Sequence, residues 1–130
     1  MTTLLLDTHV LHWSSMDPTR LSQRALQAIQ AADELAVSAV TWMELAQLAA
    51  ARRLVPPLPV LTWLERLSRE VRSMPVTPAI AVGAFDLPRS FPRDPADRVI
   101  WATAGGHGWR LVTKDERMRA HDREGAVVVW

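Results

Sequence analysis

The chain has 130 residues, 48% of them hydrophobic and 22% charged, and contains no cysteine. This length fits a single domain spanning 1–130, and the lack of cysteine excludes disulfides, thiolate metal sites and cysteine nucleophiles. Fifteen basic and fourteen acidic side chains leave a net charge of +1. No overall field therefore attracts nucleic acid, and any such contact must come from a local patch.

Neither an export signal nor a membrane-spanning segment is predicted. The apolar run that ends at Leu6 is followed at once by Asp7, which makes it too short for a signal-peptide core. No window approaches the ~20 apolar residues that a spanning helix requires. We therefore expect a soluble, cytoplasmic protein.

The hydrophobic pattern predicts short strands that alternate with helices. The predicted strands are Thr3–Leu6, Leu35–Ser38, Met74–Thr77, Arg110–Thr113 and Ala126–Val129. The predicted helices are Thr8–Ser15, Thr19–Ala32, Thr41–Arg53, Val60–Arg72, Ala79–Leu87, Pro95–Gly105 and Asp115–His121. This alternation is typical of an α/β fold with a mainly parallel sheet.

Acidic residues stand close to the ends of the predicted strands. Asp7 directly follows the first strand, Glu44 lies one helical turn after the second, and Asp115 comes two residues after the fourth. Asp97 stands in the first turn of the helix that leads into the fourth strand. Because ligands bind outside the carboxyl ends of parallel strands, we expect these four side chains to converge at one edge of the sheet.

A cluster of four carboxylates requires a counter-charge. Two unit charges about 4 Å apart repel by roughly 4 kcal/mol at an effective dielectric constant of 20. The cluster is therefore stable only if it is protonated or neutralised by cations. Carboxylate oxygens suit Mg²⁺ or Mn²⁺, which accept a few carboxylates together with substrate phosphates.

Each acid also has a purely structural interpretation. Asp7 and Asp115 fit as caps of the helices that follow them, and Glu44 fits the last position of a capping box. Asp94 fits as the N-cap of the next helix, which places Asp97 where the helix dipole favours a carboxylate. Independent caps explain each position singly but explain the coincidence of four less well than one site does.

The aromatic and histidine residues indicate less. His9 and His12 are three residues apart and share a helix face, but no cysteine or third nearby histidine supports a zinc site. Trp13 and Trp42 closely follow the acidic positions, so they are candidates to line a cleft or a partner surface. Neither a phosphate-binding glycine loop nor a serine nucleophile motif is present.

Four segments resemble the signature blocks of PIN domains, most closely those of VapC-type toxins from bacterial toxin–antitoxin pairs. The segments are Leu5-Leu6-Asp7-Thr8-His9, Val37-Ser38-Ala39-Val40-Thr41-Trp42-Met43-Glu44-Leu45, Asp94-Pro95-Ala96-Asp97-Arg98 and Leu111-Val112-Thr113-Lys114-Asp115. They stand in family order and at family spacing within a resemblance that runs from Thr3 to Trp130. The ordered set is far more specific than any one block, and the stretch 52–75 matches only in helical pattern.

The resemblance implies a three-layer α/β/α fold with a short, mainly parallel five-stranded sheet, and an Mg²⁺- or Mn²⁺-dependent endoribonuclease. Four acids would be its catalytic, metal-binding residues: Asp7, Glu44, Asp97 and Asp115. Thr113 would orient a carboxylate or a water, and Asp94 would act as a cap or support the site. Arg98 is the candidate substrate-binding residue, although an exposed structural arginine fits that position equally well. In-line attack by metal-activated water would leave 5′-phosphate and 3′-hydroxyl ends.

The resemblance also implies an RNA substrate, a small VapB-like antitoxin and a homodimer. Helices Thr41–Arg53 and Val60–Arg72 form a possible two-helix clip for a partner segment, although their apolar residues could equally pack on the sheet. Two other functions stay open. One is a PIN-fold binding or regulatory module with weak catalysis, and the other is a phosphohydrolase with Asp7 as nucleophile, for which His9 stands where a second acid is usual.

Overall fold

A computed structural model describes all residues 1–130, and its five strands form one wholly parallel sheet. The strands are β1 (Thr3–Leu6), β2 (Glu34–Ser38), β3 (Arg72–Met74), β4 (Arg110–Val112) and β5 (Val128–Val129). Their order across the sheet is β3-β2-β1-β4-β5, and every neighbouring pair is parallel. The predicted α/β fold is confirmed.

Seven α-helices connect the strands. They are α1 (Thr8–Met16), α2 (Gln23–Ala31), α3 (Val40–Ala50), α4 (Val60–Glu70), α5 (Pro78–Phe85), α6 (Pro95–His107) and α7 (Glu116–Arg119), with one 3₁₀ turn at Pro18–Arg20. None of the helices has both the length and the apolar character that crossing a membrane demands.

Helices cover both faces of the sheet, which explains why its strands are apolar throughout. In β1, Leu4 and Leu6 join one hydrophobic cluster while Leu5, pointing the opposite way, joins another. The first cluster includes buried residues from α1, α2 and α4, namely Val10, Leu11, Trp13, Ala25, Trp63 and Leu67. The second takes Ile100 and Ala104 from α6. These clusters produce the three-layer arrangement and fix which strand ends face the site.

The predicted helix Thr19–Ala32 is wrong at its start. A 3₁₀ turn at Pro18–Arg20 comes first, and α2 begins only after Ser22, whose hydroxyl accepts the backbone N–H of Ala25 at 3.0 Å. Serine is a strong N-cap residue, so the helix starts at the cap rather than at the first polar residue of the periodic pattern.

The third strand lies earlier than predicted, at Arg72–Met74 instead of Met74–Thr77. Pro75 has no N–H to donate to a ladder, so pairing stops before it. Thr77 instead caps α5 by accepting the backbone N–H of Ile80 at 3.2 Å.

Several other boundaries also differ from the prediction, and two of them have a clear local cause. Helix α6 continues two residues past Gly105 and ends at Gly108, which has the left-handed φ of 68° that glycine adopts without strain. The last strand is shorter than Ala126–Val129, because the carboxylate of Asp122 accepts the N–H groups of Ala126 and Val127 and holds them in a turn.

Candidate active site

The fold brings the four predicted acids to the carboxyl edge of the sheet. Strands β2, β1 and β4 are adjacent, and the acids that follow them are Glu44, Asp7 and Asp115. Helix α6, which packs against β2, β4 and α3, carries Asp97 in its first turn. The charges of the other three acids all raise the pKa of Asp97, so the four carboxylates act on one another electrostatically.

Asp7 lies at the centre of the group and is only 3% exposed. Its Oδ1 accepts the backbone N–H of Thr8 at 2.8 Å, so the predicted helix cap is present. Its Oδ2 accepts the hydroxyl of Thr113 at 2.7 Å, and that hydroxyl also accepts the backbone N–H of Asp115 at 3.0 Å. Thr113 therefore links two of the acids, and it fixes the orientation of the Asp7 carboxylate as the sequence predicted.

Glu44 is held by Thr8 rather than by its own helix. The Thr8 hydroxyl donates to Glu44 Oε1 and lies 3.0 Å from the Thr41 hydroxyl oxygen. Helix α3 has Ala39 at its N-cap and no side-chain cap, so the capping-box interpretation of Glu44 is wrong. Burial raises the pKa of Glu44, and the nearby charges of Asp7 and Asp94 raise it further against the opposing hydrogen bond from Thr8.

Asp94 and Asp97 share the start of α6. Asp94 Oδ1 accepts the N–H of Ala96 at 2.8 Å and that of Asp97 at 3.4 Å, which confirms Asp94 as the N-cap with Pro95 at the first helical position. Burial is the main cause that raises the pKa of Asp97 to about 7, and the surrounding acids add to it. The charged form of Asp97 is therefore disfavoured in the folded protein when no cation is present.

One carboxylate oxygen of Asp115 caps a helix, and the other makes no hydrogen bond within the protein. Its Oδ1 caps α7 by accepting the N–H groups of Arg117 and Met118 at 2.9 and 3.1 Å. Its Oδ2 has no hydrogen-bond partner in the protein. The structural and metal-binding interpretations of Asp115 are therefore compatible, because capping uses only one of the two oxygens.

The protein supplies almost no positive charge to this cluster. The single basic nitrogen within 4.0 Å of any of the four carboxylates is His9 Nδ1, 3.6 Å from Asp7 Oδ2. Burial lowers the pKa of His9 despite the opposing charges of Asp7 and Asp115, so its ring is neutral at pH 7. His9 Nε2 accepts the backbone N–H of Lys114 at 3.0 Å, which leaves that nitrogen unable to bind zinc.

The donor set fits a hard divalent cation. It consists of carboxylate oxygens with neighbouring hydroxyls and no sulfur, which is the chemistry of Mg²⁺ or Mn²⁺ sites. No three of these side chains already stand close enough to enclose an ion, as expected for like charges that repel. A cavity of about 310 Å³ beside Glu44 and Asp94 flanks the acids on one side, and one of about 300 Å³ beside Asp115 flanks them on the other.

Arg98 does not occupy the position of a substrate-binding residue. It is 8% exposed, and all five of its N–H groups point at backbone carbonyls of the segment that precedes α6. The acceptors are the carbonyls of Ala84, Leu87, Pro88, Phe91 and Pro92, at 3.0 to 3.4 Å. Arg98 therefore fixes that segment and the start of α6, where Asp94 and Asp97 lie.

Two other sequence interpretations are settled by contacts. Trp42 donates its indole N–H to Ser73 at 2.8 Å and so packs towards the edge strand β3, whereas Trp13 lines the cavity beside Asp115. A larger apolar cavity of about 450 Å³ between α5 and α6 contains no acidic residue, so it is not the metal site. Sequence analysis did not single out Thr8; the signal was its place directly after Asp7 in the first block.

Known proteins are similar to this chain in sequence. A sequence profile of the PIN domain matches residues 4–124. Ribonuclease VapC22 of Mycobacterium tuberculosis is 56% identical over 130 residues, which is the full length of both chains.

Solved structures agree on the fold. A toxin–antitoxin complex from Klebsiella pneumoniae matches with a TM-score of 0.67 and 24% identity, over 98% of this chain and 96% of that one. DNA-bound VapBC from Salmonella typhimurium matches with a TM-score of 0.69 and 18% identity, over 98% and 97%. The profile match and the full-length relative together place this chain in the PIN-domain family, among the VapC-type ribonucleases.

Proposed function

We propose that the four-acid cluster binds Mg²⁺ or Mn²⁺ and that residues 1–130 act as one endoribonuclease domain, which hydrolyses RNA phosphodiesters by water attack. The observation that carries the proposal is a group of four carboxylates with no positively charged partner of its own, in which the pKa of Asp97 rises to about 7. A divalent cation at this cluster supplies a Lewis acid that activates water and neutralises charge on the phosphate. The expected products carry 5′-phosphate and 3′-hydroxyl ends.

The residues of the proposed site have different roles in binding the metal. Asp7, Asp97 and Asp115 are the proposed direct ligands, because Asp115 keeps one oxygen free and Asp7 lies at the centre. Glu44, held by the Thr8 hydroxyl, is placed to bind through a water or to position the nucleophile. Thr113 keeps the Asp7 and Asp115 segments in register through its two hydrogen bonds.

The phosphohydrolase alternative is less well supported by the geometry. A nucleophilic Asp7 needs an accessible, unencumbered oxygen, yet both of its oxygens accept hydrogen bonds and the residue is 3% exposed. The binding-module alternative requires loss of the acid set, and all four acids are present. A generic phosphate monoester and a single-stranded RNA, each assayed with Mn²⁺, separate the three functions.

We further propose that the protein is held inactive by a small VapB-like antitoxin and forms a homodimer. The toxin–antitoxin complex among the solved neighbours supports the first proposal. Part of the apolar surface of the two-helix clip is already covered, because Leu45, Trp63 and Leu67 are buried in the first hydrophobic cluster. Leu61, by contrast, is 69% exposed and can contact a partner. Co-expression with the neighbouring gene, followed by size-exclusion chromatography, tests both; a monomer that binds no neighbouring product contradicts both.

The direct test is cleavage of single-stranded RNA by the purified protein. We expect cleavage with Mg²⁺ or Mn²⁺, loss of cleavage in EDTA, and recovery when the metal is returned. Cleavage that persists at full rate in EDTA would contradict the proposal. Mapping the ends is a second check, because 2′,3′-cyclic phosphate products would exclude water as the nucleophile.

A further inference from the structure

Arg20 and Lys114 both lie over the same tryptophan beside the acid cluster. The guanidinium carbon of Arg20 is 4.2 Å from the centroid of the Trp13 ring, and Lys114 Nζ is 5.7 Å from it. Neither cation lies within 4.0 Å of a carboxylate oxygen. Two like charges thus share one aromatic platform without a counter-anion from the protein.

The two cations come from separate parts of the chain. Arg20 ends the 3₁₀ turn at Pro18–Arg20, which packs against α1, the helix that carries Trp13. Lys114 lies between β4 and α7, and its backbone N–H is fixed by His9 Nε2. Both side-chain positions are therefore set by ordered backbone and by the ring, which lowers the conformational entropy lost when an anion binds them.

The platform lies next to the proposed reaction centre. His9, Trp13, Lys114, Asp115 and Glu116 line the same cavity of about 300 Å³. His9 also stands 3.6 Å from Asp7, which places the cavity against two of the proposed ligands. Lys114 lines this cavity, and Arg20 lies over the Trp13 ring that forms part of its wall, so both cations border the space beside Asp115.

We propose that Arg20 and Lys114, held over Trp13, bind a backbone phosphate of the RNA strand next to the one that is cleaved. This inference rests on the proposed function and adds a subsite to it. Because Trp13 is covered by Arg20 and is 9% exposed, it serves as a platform for the cations and not as a stacking surface for a base. The contact recognises phosphate and positions the strand, so it acts on every RNA sequence alike.

The test measures how salt weakens RNA binding. Arg20→Gln and Lys114→Gln are combined in an Asp97→Asn background, which prevents cleavage, and a fluorescent single-stranded RNA is titrated by anisotropy at several KCl concentrations. Each lost phosphate contact lowers the slope of log K against log salt by about 0.7 for a single strand. We expect a slope smaller by about 0.7 in the double variant, because the two cations share one phosphate.

Arg69→Gln in the same background is the matched control. Arg69 is exposed and lines a depression with Asp33 and Glu34 at the opposite, amino edge of the sheet. We expect it to leave the slope unchanged. A double variant that keeps the slope of this control overturns the inference, as does one that loses only binding of a co-expressed antitoxin.

A parallel assay of the otherwise wild-type chain separates this inference from the proposed function. If this chain cleaves RNA with Mn²⁺ while the salt slope of the double variant is unchanged, the phosphate subsite alone is overturned. Absence of both cleavage and RNA binding overturns the proposed function and the subsite with it. Thermal melts of the double variant in EDTA, compared with those of Asp97→Asn alone, guard against a folding defect, because a correctly folded variant keeps the midpoint of its parent.

Discussion

The two edges of the sheet differ in whether their acidic residues have partners that offset the negative charge. At the amino edge, Glu34 pairs with Arg72 at 3.4 Å, and Asp33 accepts the backbone N–H of Thr2 at 2.7 Å. At the carboxyl edge, four acids converge, and the only basic nitrogen within 4.0 Å of their carboxylates belongs to the neutral ring of His9. The amino edge is complete without a ligand, whereas the carboxyl edge carries charge that an external cation must balance.

The largest effect on the cleavage rate is expected from a substitution at the carboxyl edge. Asp97→Asn removes a proposed ligand and several kcal/mol of charge stabilisation in the transition state. Cleavage of RNA should therefore fall by roughly a thousandfold or more. Rates measured with Mn²⁺ check this, with circular dichroism to confirm the fold.

The matched control is Asp33→Asn, the same change at the amino edge, where the amide oxygen still accepts the N–H of Thr2. Cleavage should be unaffected. If both variants cleave at the wild-type rate, Asp97 has no role in the reaction. If both lose activity, the loss does not depend on whether the substituted acid lies at the carboxyl edge, and the proposed difference between the two edges is wrong.

A smaller effect is expected when the support of the acids is removed. Thr113→Val keeps the shape of the side chain but leaves Asp7 Oδ2 and the Asp115 N–H without their shared partner. Loss of such a supporting group typically costs 10–100-fold in metal affinity or activity, so we expect a loss of roughly that size. A Mn²⁺ titration of the cleavage rate measures it.

Thr103→Val is the control for this change, because Thr103 is also fully buried but donates its hydroxyl to Val99 within α6. It should lower stability slightly and leave the dependence on Mn²⁺ unchanged. Equal shifts in the two variants would show that Thr113 acts only through general stability.

The pH dependence of stability should also distinguish the edges. Asp97 has its pKa raised in the folded protein from 3.8 to about 7, so between these values the folded state binds more protons than the unfolded state. The free energy of unfolding of the metal-free protein should therefore fall as pH rises through this window. Glu44 contributes in the same direction.

Urea denaturation in EDTA at pH 4 to 8 measures this slope. Asp97→Asn should flatten it and make the metal-free protein more stable than wild type near pH 8, whereas Asp33→Asn should not. A wild-type stability that increases steadily from pH 4 to 8 would mean that burial and the neighbouring acids raise the pKa of Asp97 less than the structure indicates.

Much of the fold and the acid positions could be predicted because each depends on local pattern. The apolar run Thr3–Leu6 followed by Asp7 fixes both a buried strand and an acid at its end. Boundaries set by a single competing contact were harder: Thr77 leaves the predicted third strand to cap α5, and Asp122 shortens the last one.

The roles of individual cations could not be predicted, since they depend on contacts between distant parts of the chain. Arg98 follows a signature block, yet its guanidinium is saturated by five carbonyls whose positions no local pattern encodes. Arg20 and Lys114 are far apart in sequence and meet only because both lie over Trp13. The sequence locates the acids, and the fold decides that Arg98 is buried against carbonyls while Arg20 and Lys114 lie over Trp13.

Thermal melting with Mn²⁺ tests the central claim, a cation requirement at the carboxyl edge, most directly. Binding to the folded state alone adds about 2.7 kcal/mol at a metal concentration one hundred times Kd. For a chain of this size that raises the melting midpoint by roughly 10 °C. The account predicts this rise in wild type and in Asp33→Asn, and its loss in Asp97→Asn. An equal midpoint with and without millimolar Mn²⁺ in wild type would contradict it.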